Sequence, residues 1–339
     1  MKQPIFLTLI LLTIIAFAVD MATGSVAVPL GDVVRILLGQ PPARATWTTI
    51  VLTIRLPKAL TAALAGAALA ASGLQMQTLF RNPLAGPFVL GISAGASLGV
   101  ALVVVGAAAL APVAVLGNTS VALAATLGAM AVMLLVLAVA HSVTGRAALL
   151  IVGLMVGYAA GALVSILLYF ARAEDVQAYV IWTFGSFGGV TWPQLRVMAL
   201  AVGLGLLLAV AAIKPLDALL LGETYASSMG VDIPRARTLL IVSTALLAGA
   251  VTAFCGPIAF LGVAVPHLAR GIMRTSSHRT LMPGVVLTGA LVALLADILA
   301  SLPGQATVLP LNAITSLMGA PVVIWIILRR QHTLSTEGL

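Results

Sequence analysis

Charge is what this chain has least of. Only 8% of its 339 residues are Asp, Glu, Lys or Arg, whereas 61% are hydrophobic and mean hydropathy is +1.19. Soluble domains carry about a quarter charged residues, so a water-soluble globule is excluded. Cysteine is nearly missing too. Cys255 stands alone, which rules out an intrachain disulfide framework and any cysteine-based metal cluster. Lysine occurs only as Lys2, Lys58 and Lys214, and no Gly-Lys-Ser/Thr is present. Without a phosphate loop the chain is not its own ATPase. The formal charge of +8 is assigned to loops on one membrane face rather than to nucleic-acid binding.

What the chain has instead is apolar runs, and a spanning helix needs about 20 such residues. Candidate spans are 5–22, 56–80, 88–106, 119–140, 147–171, 194–213, 236–254, 257–273, 281–302 and 309–328. Ten spans put both termini on one side. Eleven Lys and Arg fall on that side and six on the other, which makes it the cytoplasmic side. The expected molecule is an all-α, multi-pass domain over 1–339 in the inner (cytoplasmic) membrane, with both termini cytoplasmic. Lys2 and Ala16-Phe17-Ala18 imitate a secretory leader around the first run, but that run is expected to remain as an uncleaved anchor.

Three polar stretches interrupt the runs. Residues 23–55, with Pro29, Pro41, Pro42 and Trp47, are expected outside, and 172–193, with Trp182 and Trp192, form an interfacial aromatic belt. Residues 214–235 form the longest internal loop. Its blocks 216–221 and 223–229 are separated by Gly222 and closed by Gly230. Leu219, Leu220, Leu221, Tyr225 and Met229 are too apolar for a solvated linker, so a cytoplasmic protein partner is expected there. An internal repeat is also suggested, Ala65-Gly66-Ala67 through Gly73 recurring as Ala248-Gly249-Ala250 through Gly256, with Pro83 aligned to Pro266.

Residues 55–99 are the most informative. Arg55 and Lys58 open a membrane-length helix, Arg81-Asn82-Pro83-Leu84-Ala85 breaks it, and Gly91, Gly95 and Gly99 follow at four-residue spacing. That spacing, repeated at Gly153, Gly157 and Gly161, marks close helix packing. Asn-Pro reads as a simple turn. Together with Gln75 and Gln77 it reads as a constriction between helix ends, because a loose amide in lipid must line a protein cavity or lie at a membrane face. Asp297 is taken as the one acidic residue deep in a span. It is either an ion carrier or a structural group, and the absence of a second buried carboxylate favours the latter. His141, His267, His278 and His332 lie on or near the cytoplasmic face without clustered ligands, so no metal site is expected.

Taken in order, these residues resemble the FecCD permeases, subunits of ABC importers for iron-siderophores, heme and cobalamin. The resemblance is carried by Arg55-Leu56-Pro57-Lys58, Gly73, Gln75, Asn82-Pro83-Leu84-Ala85 and Leu90 through Ala96. It continues in Trp182-x-x-Gly185-Ser186, Leu221-Gly222-Glu223-x-x-Ala226-x-x-x-Gly230-Val231, Gly262-x-x-x-Pro266-His267-x-x-Arg270, His278-Arg279 and Gly319-Ala320-Pro321. Gly86 and Ser301 depart from the pattern, standing where an acidic residue and an Arg are common, and Phe260-Leu261-Gly262 replaces the usual Gly-Phe-x-Gly.

The resemblance implies a ten-helix permease of the type II ABC importer fold, paired with itself or a related permease. Two cytoplasmic ATPases, which hold ATP and Mg, would drive it, and a periplasmic or lipid-anchored binding protein would feed it. Residues 216–232 would be the ATPase-coupling loop, through Leu221, Gly222, Glu223, Ala226, Met229 and Gly230. Arg55 and Lys58 would meet the binding protein, and Asn82, Leu84, Thr144 and Gly145 would gate the inner pathway. The chain would carry no catalytic residue and no cofactor. It would move a metal chelate, an iron complex first, by alternating access. The rival is an ion-coupled secondary transporter using Asp297, and a passive channel is a more distant one.

Overall fold

Long Ala, Leu, Val and Gly runs have no way to satisfy their backbone in lipid except as helices, and the chain folds accordingly. The computed structural model describes residues 3–106, 118–140, 145–301 and 308–336. Its helices are α1 (Gln3–Ala22), α2 (Leu30–Leu37), α3 (Thr46–Leu79), α4 (Ile92–Gly106), α5 (Asn118–Ala140), α6 (Arg146–Tyr169) and α7 (Ala173–Thr183). They continue as α8 (Trp192–Ala211), α9 (Ile213–Leu221), α10 (Glu223–Ser228), α11 (Ile233–Cys255), α12 (Leu261–Met273), α13 (His278–Ala300) and α14 (Leu311–Thr336). Among the described residues seven helices are long and apolar enough to cross a membrane, namely α1, α3, α5, α6, α8, α11 and α13. Three shorter apolar helices, Ile92–Gly106, Leu261–Met273 and Leu311–Trp325, bring the apolar segments to the ten expected.

The boundaries differ from expectation where proline and glycine act. The second span begins ten residues early, at Thr46, because a π-helical turn over Ile50–Arg55 carries the helix past Pro57. Proline removes an N–H and crowds the preceding turn, and a wider turn accommodates it. The third span starts only at Ile92, after a 3-10 turn over Pro87–Leu90 and a left-handed Gly91. The eighth is reduced to Leu261–Met273, because the chain reverses through Gly256 (φ +74°) and Phe260 (φ 65°). The belt region 172–193 contains a helix, α7, and Trp192 Nε1 donates to Leu52 O at 3.0 Å, which ties α8 to α3.

α3 is the axis of the bundle. Its apolar window is 83% buried, against 22% for α1 and α6. α1, α8, α11, α12 and α13 all pack on it. Small residues make this possible. A Cβ added at Gly66 would stand 2.1 Å from Gly289 O of α13, and one at Gly73 would stand 1.7 Å from Gly262 O of α12. A second seam joins α4 to α5, where a Cβ at Gly95 would lie 2.5 Å from Gly128 O and one at Gly99 2.1 Å from Ala124 O. The expected packing role fits Gly153, whose Cβ would lie 2.5 Å from Val89 O, but nothing stands within 4 Å of a Cβ at Gly161.

The proposed repeat places only some of its residues in matching settings. Gly66 and its counterpart Gly249 are both buried inside helices, α3 and α11, but Gly73 is interior to α3 whereas Gly256 ends α11. Pro83 lies in a loop, whereas Pro266 lies inside α12.

The glycine contacts generate a test. Gly66→Val or Gly73→Val should abolish a monodisperse peak in fluorescence-detected size exclusion, because backbone cannot move aside for a branched side chain and overpacking costs on the order of 3 kcal/mol or more. Gly203→Val, with nothing within 4 Å of its Cβ on an exposed face of α8, should elute as the parent does.

Candidate functional site

Two polar clusters sit at opposite ends of α3. The first gathers the residues expected to gate. α3 ends at Leu79, Arg81 adopts a left-handed conformation (φ 48°), and Asn82 Oδ1 accepts the Leu84 N–H at 2.9 Å. This is the turn that Asn-Pro predicts, and it leaves Leu84 43% exposed. α12 holds it in place. His267 Nε2 lies 2.7 Å from Pro83 O, Arg270 Nη1 donates to Gln77 Oε1 at 2.7 Å, and Gln77 Nε2 donates to Val263 O at 3.0 Å. Gln75 is buried inside α3 and touches Ala71 O rather than a pathway. Gly145 is exposed, with φ +107°, immediately before α6. Thr144 lies outside the described residues.

The loop expected to bind a partner is adjacent. Its two blocks fold as α9 and α10, turned at Gly222 (φ +115°) and closed at Gly230 (φ +83°). Leu216, Leu219 and Ala226 are buried and fix the pair to the bundle, whereas Leu221, Tyr225 and Met229 are 60%, 63% and 61% exposed. Leu219 is therefore an anchor and not part of the exposed patch. Glu223 pairs with Arg237 of α11 at 2.9 Å. Arg81 reaches back to Leu220 O at 3.4 Å, which places the Asn82–Leu84 loop and α9 at one end of the bundle.

At the other end stand Arg55 and Lys58, the residues expected to meet a binding protein. Arg55 is 7% exposed. Its guanidinium donates to Met21 O (2.8 Å), Ala22 O (2.9 Å) and Val26 O, closing the end of α1 onto α3. Lys58 Nζ lies 2.9 Å from Asp297 Oδ2 and donates to Ser301 Oγ at 2.6 Å, bridging α3 to α13. Both cations are turned into a cavity of about 350 Å³ lined also by Asp20, Ser186 and Phe187. Arg55 is buried by the carbonyls it holds, whereas the Lys58 side chain is 20% exposed. Ser301 is the partner of Lys58 at the position where an Arg is common in the resembling sequences.

Asp297 is also not alone. Asp20, 5% exposed at the end of α1, lines the same cavity as Asp297. Sequence reasoning missed it because Asp20 closes the first apolar run and reads as a span end. The break between α11 and α12 is satisfied by one side chain that reasoning also passed over. Asn312 Oδ1 accepts the Ala259 N–H at 2.8 Å, and its Nδ2 donates to Pro257 O at 2.7 Å and Thr183 O at 2.9 Å. The signal available was Asn312, two residues after Pro310 at the start of the last run, where a polar side chain has no reason to be unless it bonds backbone.

With this geometry in place, comparison with known proteins is informative. A family model, the FecCD transport family, matches residues 11–329. The vitamin B12 import system permease protein BtuC of Citrobacter koseri is 38% identical over 280 residues, covering 82% of this chain and 83% of that protein. The BtuC of Salmonella paratyphi A is 39% identical over 277 residues, covering 81% and 82%. Among solved structures, an inward-facing conformation of a metal-chelate type ABC transporter superimposes with a TM-score of 0.81 at 26% identity, covering 96% of this chain and 99% of that one.

The Lys58–Asp297 pair, with side chains 20% and 4% exposed, should behave as a buried pair. Removing one partner leaves a buried charge and costs about 3–5 kcal/mol, whereas replacing both with apolar residues is often close to neutral. Lys58→Met should therefore lower the thermal midpoint in detergent markedly, and Lys58→Met combined with Asp297→Leu should recover most of it.

Proposed function

The chain belongs to the FecCD transport family and is the membrane permease component of an ABC importer, a transport subunit rather than an enzyme; on that premise we propose that it moves a metal chelate inward across the inner membrane by alternating access. As such a component it works with ATP-hydrolysing and substrate-binding partners. Cobalamin is the first candidate cargo, ahead of iron-siderophore and heme. The observation that carries this is 38–39% identity to permeases named for vitamin B12 import over about four-fifths of the chain. It reverses the order in which composition and motifs ranked the chelates.

In this reading the whole of 1–339 is one permease domain with its termini in the cytoplasm. ATPase subunits, which would carry the ATP and Mg, dock on the 216–232 segment around Gly222, Glu223, Ala226 and Gly230. The contact is made by the exposed Leu221, Tyr225 and Met229. A second permease, a copy or a relative, faces α6, whose Ile151, Leu154, Met155, Tyr158 and Tyr169 are exposed. The pathway then lies between the two copies, with Asn82, Leu84, Thr144 and Gly145 narrowing its inner end. A periplasmic or lipid-anchored binding protein delivers cargo to the outer face. Nucleotide and binding protein each favour one access state by binding it better than the other.

One observation favours the second reading, an ion-coupled transporter: Asp20 beside Asp297 supplies a second buried carboxylate. Against it, Lys58 already neutralises Asp297, so an entering cation would have to displace an ammonium. Asp297→Asn separates the two. Folded Asp297→Asn protein should keep ATP-dependent uptake of radiolabelled cyanocobalamin in ATP-loaded proteoliposomes. Uptake that ignores ATP but is abolished by this change would establish the ion-coupled reading.

The docking assignment is tested on its own. Tyr225→Asp or Met229→Asp should cost roughly 2 kcal/mol of docking affinity, about thirtyfold. Co-purification of the ATPase should fall while insertion is unchanged. Full retention of the ATPase by both variants would move the docking site elsewhere.

A further inference from the structure

Thr78 and His278 are 3% and 1% exposed, and neither has a part in the transport roles assigned above. They meet each other. His278 Nε2 lies 2.9 Å from Thr78 Oγ1, and His278 Nδ1 lies 2.8 Å from Asp217 Oδ1. The same carboxylate oxygen accepts the backbone N–H of His278 at 2.7 Å. His278 is the first residue of α13, and Ser277 before it makes no side-chain cap. Asp217, reaching over from α9, fills that place, where an anion is favoured by the helix dipole. Thr78 is the penultimate residue of α3, four residues before Asn82. Three elements are thus joined through one imidazole: the segment read as ATPase-docking, the start of α13 and the end of α3.

We propose that Asp217, His278 and Thr78 form a coupling relay, in which His278 is the positioning residue that makes the Asn82–Leu84 loop follow movements of α9. The proposal rests on the reading of α9–α10 as the ATPase-docking segment. Its physical basis is the difference between apolar and polar contacts. Leu216 and Leu219 hold α9 to the bundle, but non-directional apolar contacts tolerate sliding. Hydrogen bonds weaken steeply with stretch and misalignment, and a buried polar group left without its partner is costly. A shift of α9 therefore either carries the imidazole and Thr78 with it or strands a polar ring in the protein interior. The Arg81 contact to Leu220 O at 3.4 Å runs the same way but is long and exposed, so it adds little register.

The test uses the full permease with its co-purified ATPase in nanodiscs, with a thiol introduced by Leu84→Cys. Cys255 is 3% exposed and so leaves residue 84 as the reactive site. Maleimide labelling is followed with and without ATP plus vanadate, which requires no knowledge of the cargo. The nucleotide should change the labelling rate when the relay is intact. Thr78→Val should shrink that nucleotide effect about fivefold, the shift in a two-state equilibrium expected when one hydrogen bond is lost, while ATP hydrolysis continues. Thr78→Ser, which restores the hydroxyl, should restore the effect. If Thr78→Val does not fold, Thr78→Ala removes the same hydroxyl with a smaller side chain, with the same expected outcome. A full nucleotide effect in a folded relay variant overturns the relay and leaves the docking reading standing. No nucleotide effect with the relay intact, although the ATPase stays bound, removes the gate assignment and the relay together. Loss of the ATPase from none of the Tyr225 and Met229 variants removes the docking reading instead.

Discussion

The close approach of backbone to backbone along α3 is the contact on which the rest of the molecule depends. In lipid there is no hydrophobic force between helices, so association rests on van der Waals contact and the few polar bonds that can be made. Gly66 against Gly289 and Gly73 against Gly262 leave no room for even a methyl group. They bring the carbonyl surfaces of α13 and α12 onto α3. Because both crossings lie inside the helix, its two ends are fixed relative to α12 and α13. The outer cluster around Lys58 and the inner one around Thr78 and Gln77 are both attached to those ends. Moving one glycine contact would change the geometry of both.

The polar side chains of the bundle serve mainly to repair its interruptions. At three interruptions among the described residues a side chain supplies the missing partner: Arg55 for the carbonyls ending α1, Asn312 for the reversal before α12, and His267 for Pro83 O. Asp217 does the same for the first N–H of α13. Each joins elements far apart in sequence, so these few bonds set the arrangement that apolar packing alone would leave free to slide. The interruptions are tolerated in lipid because protein surrounds them.

This explains what was legible in the sequence and what was not. Helix count, polytopic architecture, the glycine seam at Gly95 and Gly99, and the two-block form of 214–235 are local patterns, and local patterns are readable from spacing and turn residues. The resemblance to FecCD permeases rested on motifs running in order across the chain, and the family match over residues 11–329 agrees with it. Partnerships across the fold were not legible. Arg55 and Lys58 look like surface cations because they open a helix at a membrane boundary. Nothing local reveals that Asp297, more than two hundred residues away, stands opposite Lys58. Asp20 was hidden because an acid at the end of an apolar run looks like the start of a loop. Pro57 looked like a helix start because sequence spacing carries no sign of a π-helical turn.

The outer cluster bears on what kind of transporter this is. A carboxylate that works as an ion carrier must exchange its cation with water on each side of the membrane, and a lysine paired with it competes for that place. Lys58 is paired in this way. It is held by Asp297 and Ser301 at once and reaches them from a helix whose interior is locked by glycine contacts. The same arrangement is useful in a permease driven from outside. It ties α3 to α13 near the ends opposite to those joined by His278, so the two helices are pinned at both extremities and crossed in the middle. A force applied at α9 then acts on a rigid pair instead of on one helix. The alternating access we propose requires rigid-body rocking of packed elements, and a buried ion pair at one end with a hydrogen-bonded imidazole at the other provides a unit able to rock without coming apart.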